Sequence, residues 1–398
     1  MAELRQNTWS VNAWYEQDYA GNAIYESTVN ELYAWGYNSY GQLGQGNTTK
    51  YSSPVQIPGT TWATVGTARE AVGATKSDGT LWTWGRNHQG QLGHGAQTSV
   101  ESPVQVPGTT WNGGCVGDDV GMFTKSDGTL WTVGSSTSGK LGQNNSLPQA
   151  SYFSPRQIAG TTWSRAPSVF AGGHSACFKT DGTLWMWGSN NNGELGQNQG
   201  PSQLSSINSP VQVPGTWCTD GVDNLCGGLA YYTLARKSDG TLWGWGDNEY
   251  GVLGQGDTRQ GSGHRYSSPV QIPGTTWAKV FCANSTEVAG GIKTDGTLWM
   301  WGGNGFGRLG QNSLVGQSSP VQVPGTNWSL VAFTHHGDPL AKKTDGTLWS
   351  WGRANGDGGS YLNLPTNSHR SSPVQIPGDW GTSMLGGGEA AFLALKQF

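Results

Sequence analysis

The chain has 398 residues, among them 64 glycines and 21 tryptophans, while Asp, Glu, Lys and Arg together make up 12% and the net charge is −4. A charge this thin and evenly spread leaves no basic footprint for nucleic acid or an anionic membrane surface, and no apolar run reaches membrane-spanning length. Tryptophan supplies the apolar area for a large core in place of Leu and Ile, so the glycine excess reads as turns in a folded chain and not as disorder.

Residues 1–26 come first and have no counterpart downstream. This arm is weakly charged and carries Trp9, Trp14, Tyr15, Tyr19 and Tyr25. Aromatic side chains of this kind suit a groove on another protein; packing on the chain's own surface is the alternative. The opening Met-Ala-Glu-Leu-Arg-Gln-Asn-Thr has no apolar signal core and gives no indication of export. Residues 27–398 are predicted as one domain.

From Glu31 onward the chain repeats itself. Glu31-Leu32-Tyr33-Ala34-Trp35-Gly36 is a first, altered copy of a phrase that then recurs as Asp78-Gly79-Thr80-Leu81-Trp82 and five more times, opening at Asp127, Asp181, Asp239, Asp295 and Asp345. A second phrase built on Ser-Pro-Val-Gln accompanies each copy and places Pro54, Pro103, Pro155, Pro210, Pro269, Pro320 and Pro373. Seven copies at a step of about fifty residues make this a repeat architecture.

One unit shows the physics. Trp62 to Gly66 and Ala71 to Lys76 alternate as short strands, and Asp78-Gly79 supplies the positive φ angles of a hairpin turn. Leu81 to Gly85 is a third strand, with Trp82 and Trp84 on one face and Leu81 and Thr83 on the other. Val104 to Val106, fenced by Pro103 and Pro107, is a fourth and has the marks of a protected edge. Apolar residues on both faces require sheets stacked on sheets, and four antiparallel strands repeated radially make a propeller blade. The C-terminal piece from Trp380 supplies only the first two strands of a unit and the segment from Glu31 to Gly59 only the last two. The expected fold is therefore an all-β, seven-bladed β-propeller of four-stranded antiparallel blades, closed by pairing N- and C-terminal strands in one composite blade.

Motifs of chemistry are weak by comparison. Gly305 to Gly310 fits a dinucleotide fingerprint, but no helix-forming stretch follows it. Each Asp-Gly turn offers one carboxylate, where calcium needs six or more oxygens. His174 reads as a hydrogen-bonded histidine of an inner strand before it reads as a ligand, His335-His336 as a surface loop, and Asp118-Asp119 as a solvated pair. No nucleophile elbow or metalloprotease motif is present, so no catalytic, cofactor or metal residue is assigned and the chain is expected not to be an enzyme. Cys115, Cys177, Cys218, Cys226 and Cys282 follow no metal spacing and read as reduced core residues, a Cys218–Cys226 disulfide being the alternative.

The tails Asn38 to Gly44, Asn87 to Gly93, Asn191 to Gly196, Asn248 to Gly254 and Asn304 to Gly310, with the proline strand and the Gly172-Gly173-His174-Ser175 segment, resemble the regulator of chromosome condensation repeat family. The resemblance covers roughly residues 31–398. It implies a seven-bladed propeller used for protein recognition, in a family that includes a nucleotide exchange factor for a nuclear GTPase, a plant ultraviolet-B photoreceptor and a secreted β-lactamase inhibitor. This chain has no basic arm, no repeated Gly-Trp-Arg-His-Thr segment and no signal peptide. Its near-identical units are similar in style to repeat proteins encoded by marine bacteriophages. The functional expectation is a display module of a phage particle, made in the host cytoplasm. Its arm would bind other virion or assembly proteins. Variable loops would offer Tyr51, Tyr152, Phe153, Arg265 and Tyr266 to a host surface protein or glycan. The alternative is a soluble cytoplasmic regulator, such as an exchange factor for a small GTPase. Neither nucleic acid binding nor membrane insertion is expected.

Overall fold

In the computed structural model the described residues are 30–67, 70–144, 151–164, 168–169, 173–200, 202–219, 224–227, 231–257, 265–283, 288–333, 337–353, 369–376, 385–387 and 391–397. The arm lies outside them. Among them there is no α-helix, only a single 3-10 turn at Thr137–Gly139, so no helix is long and apolar enough to cross a membrane.

The strands pair antiparallel into four-stranded sheets, six of them built from four consecutive strands. Blade 1 is Trp62–Thr67, Ala71–Lys76, Leu81–Gly85 and Val100–Val106; blade 2 is Trp111–Val116, Val120–Lys125, Thr129–Gly134 and Tyr152–Thr161. Blade 3 is Ser168–Val169, His174–Phe178, Leu184–Ser189 and Ser206–Val213; blade 4 is Leu225–Gly227, Tyr232–Arg236, Leu242–Asp247 and Arg265–Ile272. Blade 5 is Trp277–Cys282, Val288–Lys293, Leu298–Gly302 and Gln317–Gln322; blade 6 is Trp328–Phe333, Pro339–Lys343, Leu348–Gly352 and Arg370–Ile376. The remaining four-stranded sheet pairs the N- and C-terminal strands, as the expected composite blade does. It joins Leu385–Gly387 and Ala391–Gln397 to Asn30–Gly36 and Tyr51–Gln56, with Asn30 opposite Gln397 and Gly36 opposite Ala391.

First strands of neighbouring sheets meet one another, which places them innermost; the composite sheet touches both blade 1 and blade 6. The core lies between blades. Trp62, Trp84, Trp187, Trp217, Trp245, Trp277, Trp301 and Trp351 are almost fully buried, as are Leu81 and Thr83 on the opposite strand face, so both sheet faces are covered. Within blades the rings meet edge to face, as for Trp163 with Trp185 and Trp187 at centroid separations of 6.2 Å. All five cysteines are thiols, with no disulfide at Cys218 and Cys226.

Strand direction divides the molecule into two faces. One carries the Asp-Gly turns between second and third strands and the Pro-Gly links to the next blade. The other carries the turns between first and second strands and the long loops between third and fourth.

Candidate functional site

The turn face is built the same way six times. Asp78 Oδ1 accepts the Thr80 N–H at 2.9 Å and the Thr80 hydroxyl at 2.6 Å, and Thr80 Oγ1 in turn accepts Trp82 Nε1–H at 2.9 Å. The hydroxyl bond from Thr80 holds the Asp78 carboxyl below its ordinary range. Beside it, Lys76 Nζ stands 4.8 Å from the Trp62 ring and 4.5 Å from the Trp82 ring. Lys125, Lys179, Lys237, Lys293 and Lys343 occupy the same cage in the other blades. The Trp111 N–H donates to Gly79 O at 2.9 Å, tying the turn to the following blade, and the turns of blades 2 to 5 are tied in the same way. A face with one set of contacts repeated in every blade is scaffold. The lysines were legible as a fixed residue two places before each aspartate, but their cation–π role needs the third dimension.

The loop face combines a fixed frame with changing content. Buried Asn87 accepts the Leu92 N–H at 3.0 Å and donates from Nδ2 to Ala96 O and Thr98 O at 2.9 and 3.0 Å, pinning the variable segment. Asn38, Asn190 and Asn304 do the same for their loops. In the described loops the glycine two places before the loop leucine has positive φ and lies under the start of the next sheet's fourth strand. Gly90 lies under Phe153 and Gly193 under Ser267, where a Cβ would collide.

On that frame the residue between this glycine and the leucine varies and is largely buried: Gln42, Gln91, Lys140, Glu194, Val252, Arg308. Its backbone carbonyl is a suture. Trp84, Trp187, Trp245, Trp301 and Trp351 donate Nε1–H to the carbonyls of Gln42, Lys140, Glu194, Val252 and Arg308. Between blades 1 and 2 the tryptophan is replaced by Val133, and Gln91 Nε2 donates instead to Asp118 O at 2.8 Å.

Charged groups gather there too. Arg86 pairs with Glu70 at 2.6 Å and lies over the Tyr40 ring. Asp119 bridges His88 at 3.1 Å and Lys140 at 2.6 Å. Burial works against its charge, yet the Lys140 hydrogen bond and ammonium charge, with the His88 contact, hold its carboxyl below the usual range. The expected solvated Asp118-Asp119 pair is thus corrected: Asp119 is half-buried and fully engaged. Asp338 accepts the Arg353 N–H at 2.7 Å, with Arg308 at 3.5 Å; burial outweighs both and pushes its carboxyl up to about 6. Exposed apolar side chains include Phe153, Tyr231, Tyr250, Leu314 and Val315.

The five loop residues singled out from sequence are spread over three sheets at the starts of fourth strands and do not converge. Tyr51 is half-buried against the core and accepts Asn47 Nδ2–H at 3.2 Å. Tyr152 lies under the Arg156 guanidinium at 3.7 Å, and Phe153 beside it is exposed. Arg265 is exposed and donates to Asn191 O at 3.1 Å, whereas Tyr266 packs into the core of blade 4. Trp9, Trp14, Tyr15, Tyr19, Tyr25 and the His335-His336 pair lie outside the described residues. His174 is fully buried with Nε2 3.0 Å from Thr233 Oγ1, and burial lowers its pKa to about 3, so it is a neutral packing residue. Among the described residues no three His, Cys, Asp or Glu side chains converge as a metal requires.

The sequence profile of the regulator of chromosome condensation (RCC1) repeat matches residues 30–65, 78–116, 181–218, 239–289 and 295–334, together more than half of the chain. The chain belongs to the RCC1 repeat family. Human E3 ubiquitin-protein ligase HERC2 is 33% identical over 173 residues, 43% of this chain and 3% of that protein. The mitochondrial RCC1 domain-containing protein RUG3 of Arabidopsis thaliana is 29% identical over 192 residues, 46% of this chain and 40% of that protein. This chain therefore spans less than half the length of either relative. Among solved structures, Prp20p of Saccharomyces cerevisiae, studied for its binding to Gsp1p and histones, superposes with a TM-score of 0.74 at 15% identity, covering 96% of this chain and 94% of that one. That likeness speaks for the RCC1 fold.

Proposed function

We propose that this RCC1-repeat chain is a non-enzymatic binding module, a closed seven-bladed ring that recognises a protein partner through its loop face. One contrast carries the reading. The turn face repeats a single hydrogen-bonded and cation–π unit in blades 1 to 6, whereas the loop face exposes side chains that differ from blade to blade, among them Phe153, Tyr231, Glu249, Tyr250 and Leu314. Recognition resides on loops held by a rigid scaffold. The relatives support it in kind, since Prp20p is described by its binding to proteins.

The test is photo-crosslinking in source lysate, with a benzoylphenylalanine placed at Tyr250 or Leu314 on the loop face and at Asp78 or Asp239 on the turn face. A discrete partner captured only from the loop face supports the proposal. Capture from the turn face alone, or none from any position, refutes it.

The narrower form of the proposal makes the chain a structural or host-recognition part of a phage virion, held by residues 1–26. Its support is compositional: low charge and polar, aromatic variable segments. Density-gradient fractionation tests it. Association with intact particles that is lost on deleting 1–26 supports the virion role, and a chain that stays soluble and accelerates nucleotide release from a small GTPase replaces it with the regulator reading.

A further inference from the structure

Two positions on the loop face meet in every blade where both are described. One precedes the second strand and the other follows the third strand's glycine. The second donates its N–H to the first: Arg86 to Glu70 O at 2.8 Å, Ser135 to Asp119 O at 2.9 Å, Ser189 to Gly173 O at 3.1 Å, Asp247 to Tyr231 O at 3.0 Å, and Arg353 to Asp338 Oδ1 at 2.7 Å. In blades 1 and 6 the pair is an acid and an arginine, and charge is neutralised locally. Blade 4 departs from this with Tyr231 and Asp247.

Tyr231 stands at φ 57 with 41% of its surface exposed. A bulky side chain is disfavoured in that left-handed region, and blade 3 places Gly173 there at φ 89. The fold accepts glycine at this corner, so the tyrosine ring, turned outward, does something other than stabilise the blade. Next to it, Asp247 Oδ1 accepts the Glu249 N–H at 3.0 Å, and this bond fixes the loop that presents Glu249 and Tyr250. Tyr250 is 43% exposed and Glu249 is exposed as well. The same loop returns through Asp257, whose carbonyl lies against Gly251. Arg265, at the start of the fourth strand, directs Nη1 to Asn191 O of blade 3.

Resting on the reading of the loop face as the recognition face, we propose that the blade 4 sector formed by Tyr231, Asp247, Glu249 and Tyr250 docks an arginine- or lysine-bearing segment of the partner protein. Aromatic faces attract guanidinium and ammonium groups and stack on the planar one. Flanking carboxylates add charge-assisted hydrogen bonds and steer the approach. The two carboxylates of the sector, Asp247 and Glu249, stand beside two exposed tyrosine rings, the pairing of groups that a guanidinium or ammonium group meets favourably.

The probe is a short fluorescein-labelled peptide of alternating arginine and serine, read by anisotropy against the full chain, with a glutamate-for-arginine peptide as control. Wild type is expected to bind the basic peptide alone, more weakly as salt rises. The pair Asp247→Asn with Glu249→Gln is expected to weaken binding about tenfold. Tyr231→Gly suits the backbone and leaves the melting temperature unchanged or higher, yet is expected to weaken binding roughly threefold. Three results overturn the proposal. They are no binding of the basic peptide, equal binding by the carboxylate variant, and capture of a neutral oligosaccharide that needs the tyrosines and not the carboxylates. Crosslinking from Leu314 to a partner with none from Tyr250 overturns this site while leaving the loop-face reading intact.

Discussion

Replacing the tryptophan that sutures one blade to the next should cost different amounts in different blades. In blade 3, Lys140 O accepts both Trp187 Nε1–H at 3.0 Å and the Ser175 hydroxyl at 2.9 Å. In blade 5, Val252 O accepts Trp301 Nε1–H at 2.6 Å, and Ala289, which holds the place of Ser175 in the register, has no hydroxyl to offer. A change to Phe removes the donor and shrinks the ring alike at both sites, and both rings are fully buried, so the packing loss is common. What differs is the carbonyl left behind. Trp301→Phe leaves it without its side-chain donor, at about 1–3 kcal/mol, whereas Trp187→Phe forfeits one of two bonds, at about 0.5–1.5 kcal/mol. The expected difference is therefore about 1 kcal/mol. Urea unfolding of the full chain measures it, provided the denaturant slopes agree. Adding Ser175→Ala to Trp187→Phe should raise the cost beyond the sum of the single changes by about 1 kcal/mol, because only the double variant orphans the carbonyl. Equal costs for Trp187→Phe and Trp301→Phe, or strict additivity in blade 3, would refute the reasoning.

Three further outcomes are expected. Lys125→Met keeps the aliphatic stem between Trp111 and Trp131 but loses the cation at 4.6 and 4.8 Å, and should lower stability by about 1 kcal/mol in the same urea assay. Asp338, raised to about 6 in the fold, binds a proton on folding between its ordinary value near ~4 and that pH; its stabilisation is present below the lower value and lost as pH rises through about 6. Asp338→Asn should flatten that stretch of the urea-midpoint profile, by at most roughly 3 kcal/mol. Deleting Ala391–Gln397 strips Asn30–Gly36 of its antiparallel partner, and should add an early thermal transition seen by tryptophan fluorescence.

Much of this was readable in the sequence for local reasons. Asp-Gly can be placed because a hairpin turn needs positive φ, which Gly79 supplies at φ 79, whereas Asp78, expected at positive φ as well, is not and instead accepts the Thr80 N–H with its carboxylate. Trp82-Thr83-Trp84 announces alternation, and the incomplete repeats at the two ends announce their pairing. Other features were hidden because periodicity says which residues share a face and not what the neighbouring blade lays on it. Tyr51 and Tyr266 looked like free loop residues and are packed inward. Asp119 looked solvated, but its partners arrive from Lys140 and from His88 of the preceding blade. The exposure of Tyr231 at positive φ left no trace in the one-dimensional pattern, apart from standing where blade 3 has glycine.

The chemistry of the suture lets the residue that makes it vary from blade to blade. At five seams between sheets the tie is an indole N–H bonded to a main-chain carbonyl, so the bond is indifferent to the side chain on that residue. Gln42, Lys140, Glu194, Val252 and Arg308 all serve, although their side chains range from cation to anion to hydrocarbon. The turn face has no such freedom, since there the side chains of Asp, Thr, Trp and Lys are themselves the links. The side chains of the suture residues are themselves largely buried, and Gln42 and Glu194 accept loop N–H groups, so what the loop face presents varies further out, at residues such as Tyr250 and Leu314. Blade 4, with an aromatic and an acid where blade 1 has an acid and an arginine, is an instance of that freedom in use.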